Sequence, residues 1–397
     1  MIAVAMKTGH VMSSTRKNFL RNRTAAVFVT LLTACVSHPP AGVGKPVLWS
    51  ALPGWAEEHP AQAWPALLNT CKKLSLRDSR WKGICTDAVL LAEPDDVTAR
   101  AFFETRFAAH ELIGNDGATE GLITGYYEPL LYGSPVRTER FHYPLYRRPD
   151  DLLVVDLGEL YPELAGKRVR GRLNGNRVVP YFSRAEITNG GKHLSGQELL
   201  WVDNPVALFF LQIQGSGRVQ MPDGQTLYVG YADQNGHPYM AIGNKLIERG
   251  ALKADEVNLQ SIRAWLAAHP DEAETVLNSN PSYVFFAVRD AQLPGPLGAL
   301  NVPLLPERAV AVDPAFVPLG APVWLDTALP GSESKPYRRL TFAQDTGGAI
   351  KGAPRADLFF GYGAEAERLA GQMKQRGRMY VFLPTMRMGE VEKMAIR

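Results

Sequence analysis

Three aspartates near the C-terminus stand where carboxylates could do chemistry. Asp313 lies in Val312-Asp313-Pro-Ala-Phe-Val-Pro-Leu-Gly320. Asp345 lies in Phe342-Ala-Gln-Asp345-Thr-Gly-Gly-Ala-Ile-Lys-Gly352, and Asp357 follows in Arg355-Ala-Asp357-Leu-Phe-Phe-Gly361. Glycines beside them let the backbone turn sharply or approach a ligand closely, so these strand ends can gather carboxylates in one groove. Asp313, followed by proline, reads first as a residue that satisfies turn backbone groups. Asp357 precedes an apolar Leu-Phe-Phe, which places its carboxyl in a semi-buried setting. Burial and a like-charged neighbour both raise a carboxyl pKa. An acid held protonated near neutral pH is what general-acid catalysis requires.

Two further segments combine groups suited to a neutral sugar chain. Thr124-Gly125-Tyr126-Tyr-Glu-Pro129 carries a hydroxyl, aromatic rings and a carboxylate. Gln212-Ile-Gln214-Gly215-Ser216-Gly217 alternates amides with an apolar residue and opens into a glycine turn. Aromatic faces pack on the apolar faces of sugars, and amides and hydroxyls meet their hydroxyl groups. Taken singly, each member reads as core packing or turn structure. Competing chemistries find little footing. Gly347-Gly-Ala-Ile-Lys351-Gly lacks the spacing and the Lys-Ser/Thr ending of a phosphate loop, and Gly215-Ser-Gly217 has no third glycine for a dinucleotide site. HExxH, clustered histidines and a G-x-S-x-G elbow are all missing from the sequence.

The elements that must position these residues are mostly short strands. Apolar runs at 152–156, 177–182 and 206–214 read as β-strands, with turns at Asn174-Gly175-Asn176 and Asp223-Gly224. From residue 282 onward, strands are expected at 283–288, 309–312, 322–325, 340–343 and 379–383. Such close spacing, punctuated by Gly and Pro, argues for a barrel rather than βαβ units. Helices are expected at 64–71, opened by a proline, at 95–107, as a pair within 252–280 broken at Pro270, and at 364–375.

The N-terminus reads as an exported leader. Lys7, Arg16, Lys17, Arg21 and Arg23 precede an apolar run, 24–34, that is too short to span a bilayer. The chain has 397 residues and a formal charge of +3; without those five basic residues the remainder holds two more acidic than basic residues. Such a body is not a nucleic-acid binder by composition. With 46% hydrophobic residues it is also not a disordered chain. Cys35 follows Leu32-Thr33-Ala34, which resembles a bacterial lipoprotein cleavage box, with lipidation of the Cys35 thiol implied. Val36 resembles the outer-membrane sorting pattern. Residues 36–48, rich in Pro, Gly and Ser, read as a tether. Cys71 and Cys85 form either one disulfide, as an oxidising compartment permits, or two buried thiols.

Together these segments resemble the membrane-bound lytic murein transglycosylase A family. The matches are Thr124–Pro129, Leu211-Gln-Ile-Gln-Gly-Ser-Gly217, Asn280-Pro-Ser-Tyr-Val-Phe-Phe286, the Asp313 segment, and the Asp345 and Asp357 segments in order. The resemblance implies a mainly β, α+β fold: a double-psi β-barrel domain with an inserted second β-rich domain and a glycan groove between them. Its boundaries are a signal peptide at 1–34, lipidated Cys and tether at 35–48, the first barrel part at 49–128, the insert at 129–287, and the second barrel part, a three-aspartate domain, at 288–397. It implies cleavage of the β-1,4 bond between N-acetylmuramic acid and N-acetylglucosamine without water, leaving 1,6-anhydro-muramic ends. Asp357 matches the single catalytic acid/base and Asp345 its companion. Thr124, Gly125, Tyr126, Gln212, Gln214, Gly215, Ser216 and Asp313 are the expected substrate-binding positions.

No metal or organic cofactor is implied. Expected partners are peptidoglycan glycan strands, outer-membrane lipid through Cys35, and proteins of cell-wall synthesis or hydrolysis, at the periplasmic face of a Gram-negative outer membrane. Two other readings stand behind this one: an inverting glycoside hydrolase with Asp345 as base to a water, and a non-catalytic, lipid-anchored wall-binding protein.

Overall fold

The computed structural model describes residues 42–164, 167, 169–190, 193–331 and 335–385. The leader 1–34, Cys35 and the tether up to residue 41 lie outside the described residues. The first sheet takes its strands from both ends of the chain: β1 (Val43–Val47), β2 (Phe107–Leu112), β3 (Gly121–Glu128), β13 (Ala309–Ala311), β14 (Pro322–Ala328), β15 (Pro336–Asp345), β16 (Arg355–Tyr362) and β17 (Lys374–Pro384). Its order is β1-β2-β17-β14-β15-β13-β16-β3, and the first half of β17 pairs back onto β3. That last pairing closes six strands into a ring. The long β17 makes this possible, because its second half meanwhile pairs with β2. Closure removes exposed strand edges.

Each of the six ring strands contributes to one buried cluster that includes Ile123, Val310, Val323, Ala343, Leu358 and Val381. Three helices, α1 (Trp64–Leu74), α2 (Ser79–Leu91) and α3 (Asp96–Arg106), bury a second cluster against β14, β15 and β17. Trp64, Phe103, Trp324, Phe342 and Phe382 form its aromatic centre.

Between β3 and β13 the chain builds a second sheet of β4 (Leu130–Ser134), β5 (Tyr143–Tyr146), β9 (Glu198–Val202), β10 (Ser216–Gln220), β11 (Thr226–Gln234) and β12 (Val284–Arg289), in the order β12-β11-β10-β4-β9-β5. A small sheet of β6 (Leu153–Val154), β7 (Arg170–Asn174) and β8 (Arg177–Val179) accompanies it. The helices of this region are α4 (Arg184–Gly190), α5 (Pro205–Gln214), α6 (Ile242–Glu248), α7 (Leu259–Ala268) and α8 (Pro270–Asn278); α9 (Ala364–Gln372) joins β16 to β17.

Two expectations need correction. Residues 206–214, expected as a strand, are α5. Asn204 caps it by accepting hydrogen bonds from the backbone N–H groups of Val206 and Ala207, Pro205 occupies its first turn, and Gly215 ends it at φ 80°. Those are helix start and stop signals. The run looks strand-like because the helix is buried on several sides, so it lacks a polar stripe. The expected tether also ends early. Val43–Val47 is a strand paired with β2, and Val43 joins the interior of the ring.

Cys71 and Cys85 are joined as a disulfide, which ties α1 to α2. Closing a loop at a sequence separation of 14, the crosslink restricts the unfolded chain enough to contribute about 3 kcal/mol. Urea unfolding of the Cys71→Ala/Cys85→Ala variant is expected to show a loss of that order. A loss under about 0.5 kcal/mol would mean that α1 is held by its packing alone.

Candidate active site

β16 lies between β3 and β13, and this position builds the site. Asp357 is the Cα partner of Thr124 on the parallel side and of Ala311 on the antiparallel side. Ala311 in turn is the partner of Asp345 on β15. Alternation along the strands sends Ala356, Leu358 and Phe360 into the ring cluster and leaves Asp357 and Phe359 on the opposite face. Thr124, Tyr126 and Glu128 share that face by the same rule, while Ile123 and Tyr127 point inward. Tyr126, Leu304, Ala309, Ala311, Ile350 and Phe359 form an apolar floor there.

The two carboxyls are half-buried and differently supplied. Asp357 accepts one hydrogen bond, from Thr124 Oγ1 at 2.6 Å. Asp345 accepts three. Its Oδ1 takes the backbone N–H groups of Ala299 and Thr346, both at 2.9 Å, and its Oδ2 takes the Tyr126 hydroxyl at 2.9 Å. Burial pushes the Asp357 pKa above the usual carboxylate range, against the Thr124 hydrogen bond and the positive charge of Arg355. Burial also raises Asp345, opposed by its three donors and reinforced by the charge of Asp357. Tyr126 is held well above the ordinary phenol value by burial and by the neighbouring carboxylates, so it stays a donor. The two carboxyls therefore differ in their supply of donors, three for Asp345 against one for Asp357, while burial raises both.

The other expected positions fall into two groups. Asp313 is buried at the start of the loop after β13. Its Oδ1 accepts from the Ala315 backbone and its Oδ2 from the Gly352 backbone, at 3.2 and 2.8 Å, so it fastens the loop between Asp345 and Asp357. Gly125 turns away from the carboxyls: a side chain there would strike Phe360 and the backbone of α9. Gln212 is buried on α5 beside Tyr283 rather than next to Asp357. Gln214 reaches the ring, its Oε1 accepting the Tyr127 backbone N–H at 3.0 Å. Gly215 closes α5, and Ser216, at the start of β10, lines a recess together with Glu128 of β3. Thr124, Tyr126, Asp345 and Asp357 are thus brought together directly, Asp313 and Gln214 brace their surroundings, and Gly125 and Gln212 are not brought to the carboxyls. The backbone N–H of Ala299 and the charge of Arg355 were not foreseen. Arg355 stands two residues from Asp357, a spacing that puts both on one strand face; a backbone donor such as Ala299 leaves no mark in the sequence. Among the described residues, no group of three or more His, Cys, Asp or Glu side chains could hold a metal ion.

Comparison with known proteins places this geometry in context. Residues 122–287 match the model of the MltA specific insert domain, and residues 308–383 match that of the 3D domain. The membrane-bound lytic murein transglycosylase A of Escherichia coli K12 is 34% identical over 280 residues, which cover 69% of this chain and 68% of the relative. The crystal structure of MltA from Neisseria gonorrhoeae in its monoclinic form superimposes with a TM-score of 0.73 at 38% identity, covering 88% of this chain and 98% of that one. E. coli MltA with bound chitohexaose superimposes with a TM-score of 0.64 at 28% identity, covering 88% and 94%.

Two outcomes are expected from this electrostatic arrangement. Thr124→Val removes the hydrogen bond that favours ionised Asp357, so the Asp357 pKa rises further. The alkaline limb of kcat/KM on a sugar-chain substrate then moves to higher pH, with a loss at the optimum of about tenfold. An unmoved limb would show that Thr124 only packs. Asp357→Asn bears on stability. A carboxyl whose folded pKa is raised costs nothing below its unfolded pKa and costs progressively more as pH rises through the interval up to the folded value. Urea unfolding should therefore find the Asn variant more stable than the parent at pH 7, by about 1 kcal/mol, with the gap closing near pH 3. A gap independent of pH would contradict the assigned burial cost.

Proposed function

This chain belongs to the membrane-bound lytic murein transglycosylase A family, and from that premise we propose that it cleaves the β-1,4 bond between N-acetylmuramic acid and N-acetylglucosamine in peptidoglycan without water. The observation that carries this reading is the unequal provision of the two carboxyls. Asp345 has its oxygens committed to three donors, which leaves it poorly placed to take a proton from a water. An inverting hydrolase needs a second carboxylate free to do that. A reaction whose nucleophile belongs to the substrate needs only one group that works twice.

Protonated Asp357 gives its proton to the glycosidic oxygen, and the bond from that oxygen to the muramic C1 breaks. The C6 hydroxyl oxygen of the same ring forms the new bond to C1. Its proton passes to the Asp357 carboxylate, which restores the acid. The product is a 1,6-anhydro-muramic end, and no water is consumed. Holding the hydroxyl beside C1 supplies an effective molarity that free water does not match. On this reading Asp345, supplied with three donors, is the anion that stabilises the positive charge developing at C1. Thr124 orients the acid.

The closed six-stranded ring, with its parallel β3–β16 and β13–β15 pairs, supports a double-psi reading of the barrel. On that reading the barrel is built from 49–128 and 288–397, with 129–287 inserted and the glycan lying between them. The hexasaccharide bound to the E. coli protein supports a sugar chain as occupant. We place the enzyme at the periplasmic face of the outer membrane, anchored through lipid on Cys35. The leader supports this, as does the description of the E. coli relative as membrane-bound. Among the described residues, no helix is long and apolar enough to cross a membrane.

Product mass tests the reaction. Purified peptidoglycan digested with the protein should yield fragments ending in anhydro-muramic acid, and Asp357→Asn should slow their release by at least about 10²–10⁴-fold. Reducing ends, heavier by one water, would replace this mechanism with hydrolysis.

A further inference from the structure

Tyr362 is an exposed aromatic ring held in place by a partly buried ion pair, and the mechanism above does not use it. It ends β16, the strand that carries Asp357, and a bulge between Phe359 and Tyr362 sets it opposite Glu128 of β3. Its relative exposure is 61%, high for a tyrosine. Free rings of this kind usually swing between rotamers, but here the Arg218 guanidinium lies 3.4 Å from the ring centroid. Arg218 is itself fixed. Its Nε and Nη2 both donate to Glu128 Oε2 at 3.2 Å, Glu128 is only 3% exposed, and Tyr228 lies on the guanidinium at 4.9 Å. One face of Tyr362 is thus covered by a pinned planar cation, and the ring remains exposed.

The position of this ring matters. Glu128 shares the strand face of Thr124 and Tyr126, so Tyr362 and Arg218 stand on the same side of the barrel as Asp357. From Thr124 to Glu128 is four residues of extended strand, about 13 Å. Beside them lies a recess lined by Glu128 of β3, by Ser216, Tyr228, Gly230 and Arg289 of the second sheet, and by Pro296. A polymer lying on Asp357 and running along β3 would reach the ring. A planar aromatic face with ordered polar groups at its rim fits a pyranose, whose axial C–H groups pack on the ring while its hydroxyls meet polar neighbours.

We propose that Tyr362, braced by Arg218 and Glu128, is a sugar-stacking platform that grips the glycan a few rings away from the bond being cut. The inference rests on the glycan-cleaving reading above. The brace gives affinity by ordering the ring before the substrate arrives, which lowers the entropy lost on binding. Since the platform touches no reacting atom, it acts on binding and not on the proton transfers.

Steady-state kinetics on isolated glycan strands tests this, with Tyr362→Ala and Tyr362→Phe compared. Tyr362→Ala should raise KM about tenfold, with kcat falling by less than about twofold and the pH profile unmoved. Tyr362→Phe, which keeps the face and loses only the hydroxyl, should retain the parent KM. Titration of β-1,4-linked N-acetylglucosamine oligomers into Asp357→Asn, with and without Tyr362→Ala, should show the same loss directly, and a greater one for long oligomers than for short. An unchanged KM and unchanged oligomer affinity in a folded Tyr362→Ala protein would overturn the platform while leaving cleavage intact. Absence of cleavage by the parent would instead overturn the reading on which it rests.

Discussion

The site depends on the register of a single strand. β16 sets Asp357 opposite Thr124 on one side and Ala311 on the other, and Ala311 fixes where Asp345 lies across β13. A slip of one residue would exchange the two faces of β16. Asp357 would enter the apolar interior, and Leu358 would take its place beside Thr124. What prevents the slip is the burial of Ala356, Leu358 and Phe360 inside the ring, together with a β3 backbone made bare at Gly125 so that Phe360 and α9 can approach it. The placement of the two carboxyls is therefore a by-product of apolar packing on the reverse of the same strand.

Asp345 is held from behind in a second way. Gln344, the residue before it, is fully buried and donates through Nε2 to the Ala66 carbonyl and to Thr70 Oγ1 on α1. Asn69 of the same helix turn donates to the Pro303 carbonyl, in the loop that brings the Ala299 N–H to Asp345. The next residue after Thr70 is Cys71, so the disulfide to α2 closes on the helix turn that grips both supports of Asp345. Immediately before β13, Arg308 forms a buried pair with Glu58 at 2.6 Å and reaches Gln62 at 2.8 Å. Pairs of this kind add little net stability once desolvation is counted, but losing one partner is costly. Their position here ties the N-terminal segment to the strand lying between the two carboxyls.

How much of this was legible in the sequence follows from the kind of interaction. The aspartate segments announce themselves, because carboxylates beside glycines at strand ends are chemically unusual. The barrel was legible as close-spaced strands, and its helical caps as capping residues and prolines. The Val206–Gln214 run was not, since a helix buried on several sides has no polar stripe and imitates a strand; the Asn204-Pro205 start and the Gly215 stop were the better guide. The same misreading hides the roles of Gln212 and Gln214. On a strand they would share a face, but on a helix they are about 200° apart, and one enters the core beside Tyr283 while the other reaches Tyr127. The third donor to Asp345, a backbone N–H brought from 46 residues away, has no sequence signal at all.

The two carboxyls of this site differ in their supply of donors, not in themselves. Both aspartates are pushed toward protonation by burial. An anion in such a place is tolerable only where hydrogen bonds replace its lost water, and three donors converge on Asp345 while one reaches Asp357. The unequal supply favours an ionised Asp345 over an ionised Asp357, while the charge of Asp357 acts the other way and raises Asp345. The Tyr126 hydroxyl strengthens that bias from both directions, since it donates to Asp345 and is kept from ionising by the carboxylates around it. A strand pairing that delivers two identical side chains to one face thus ends in two different surroundings, and the difference is written mainly in the backbone and the hydroxyls around them.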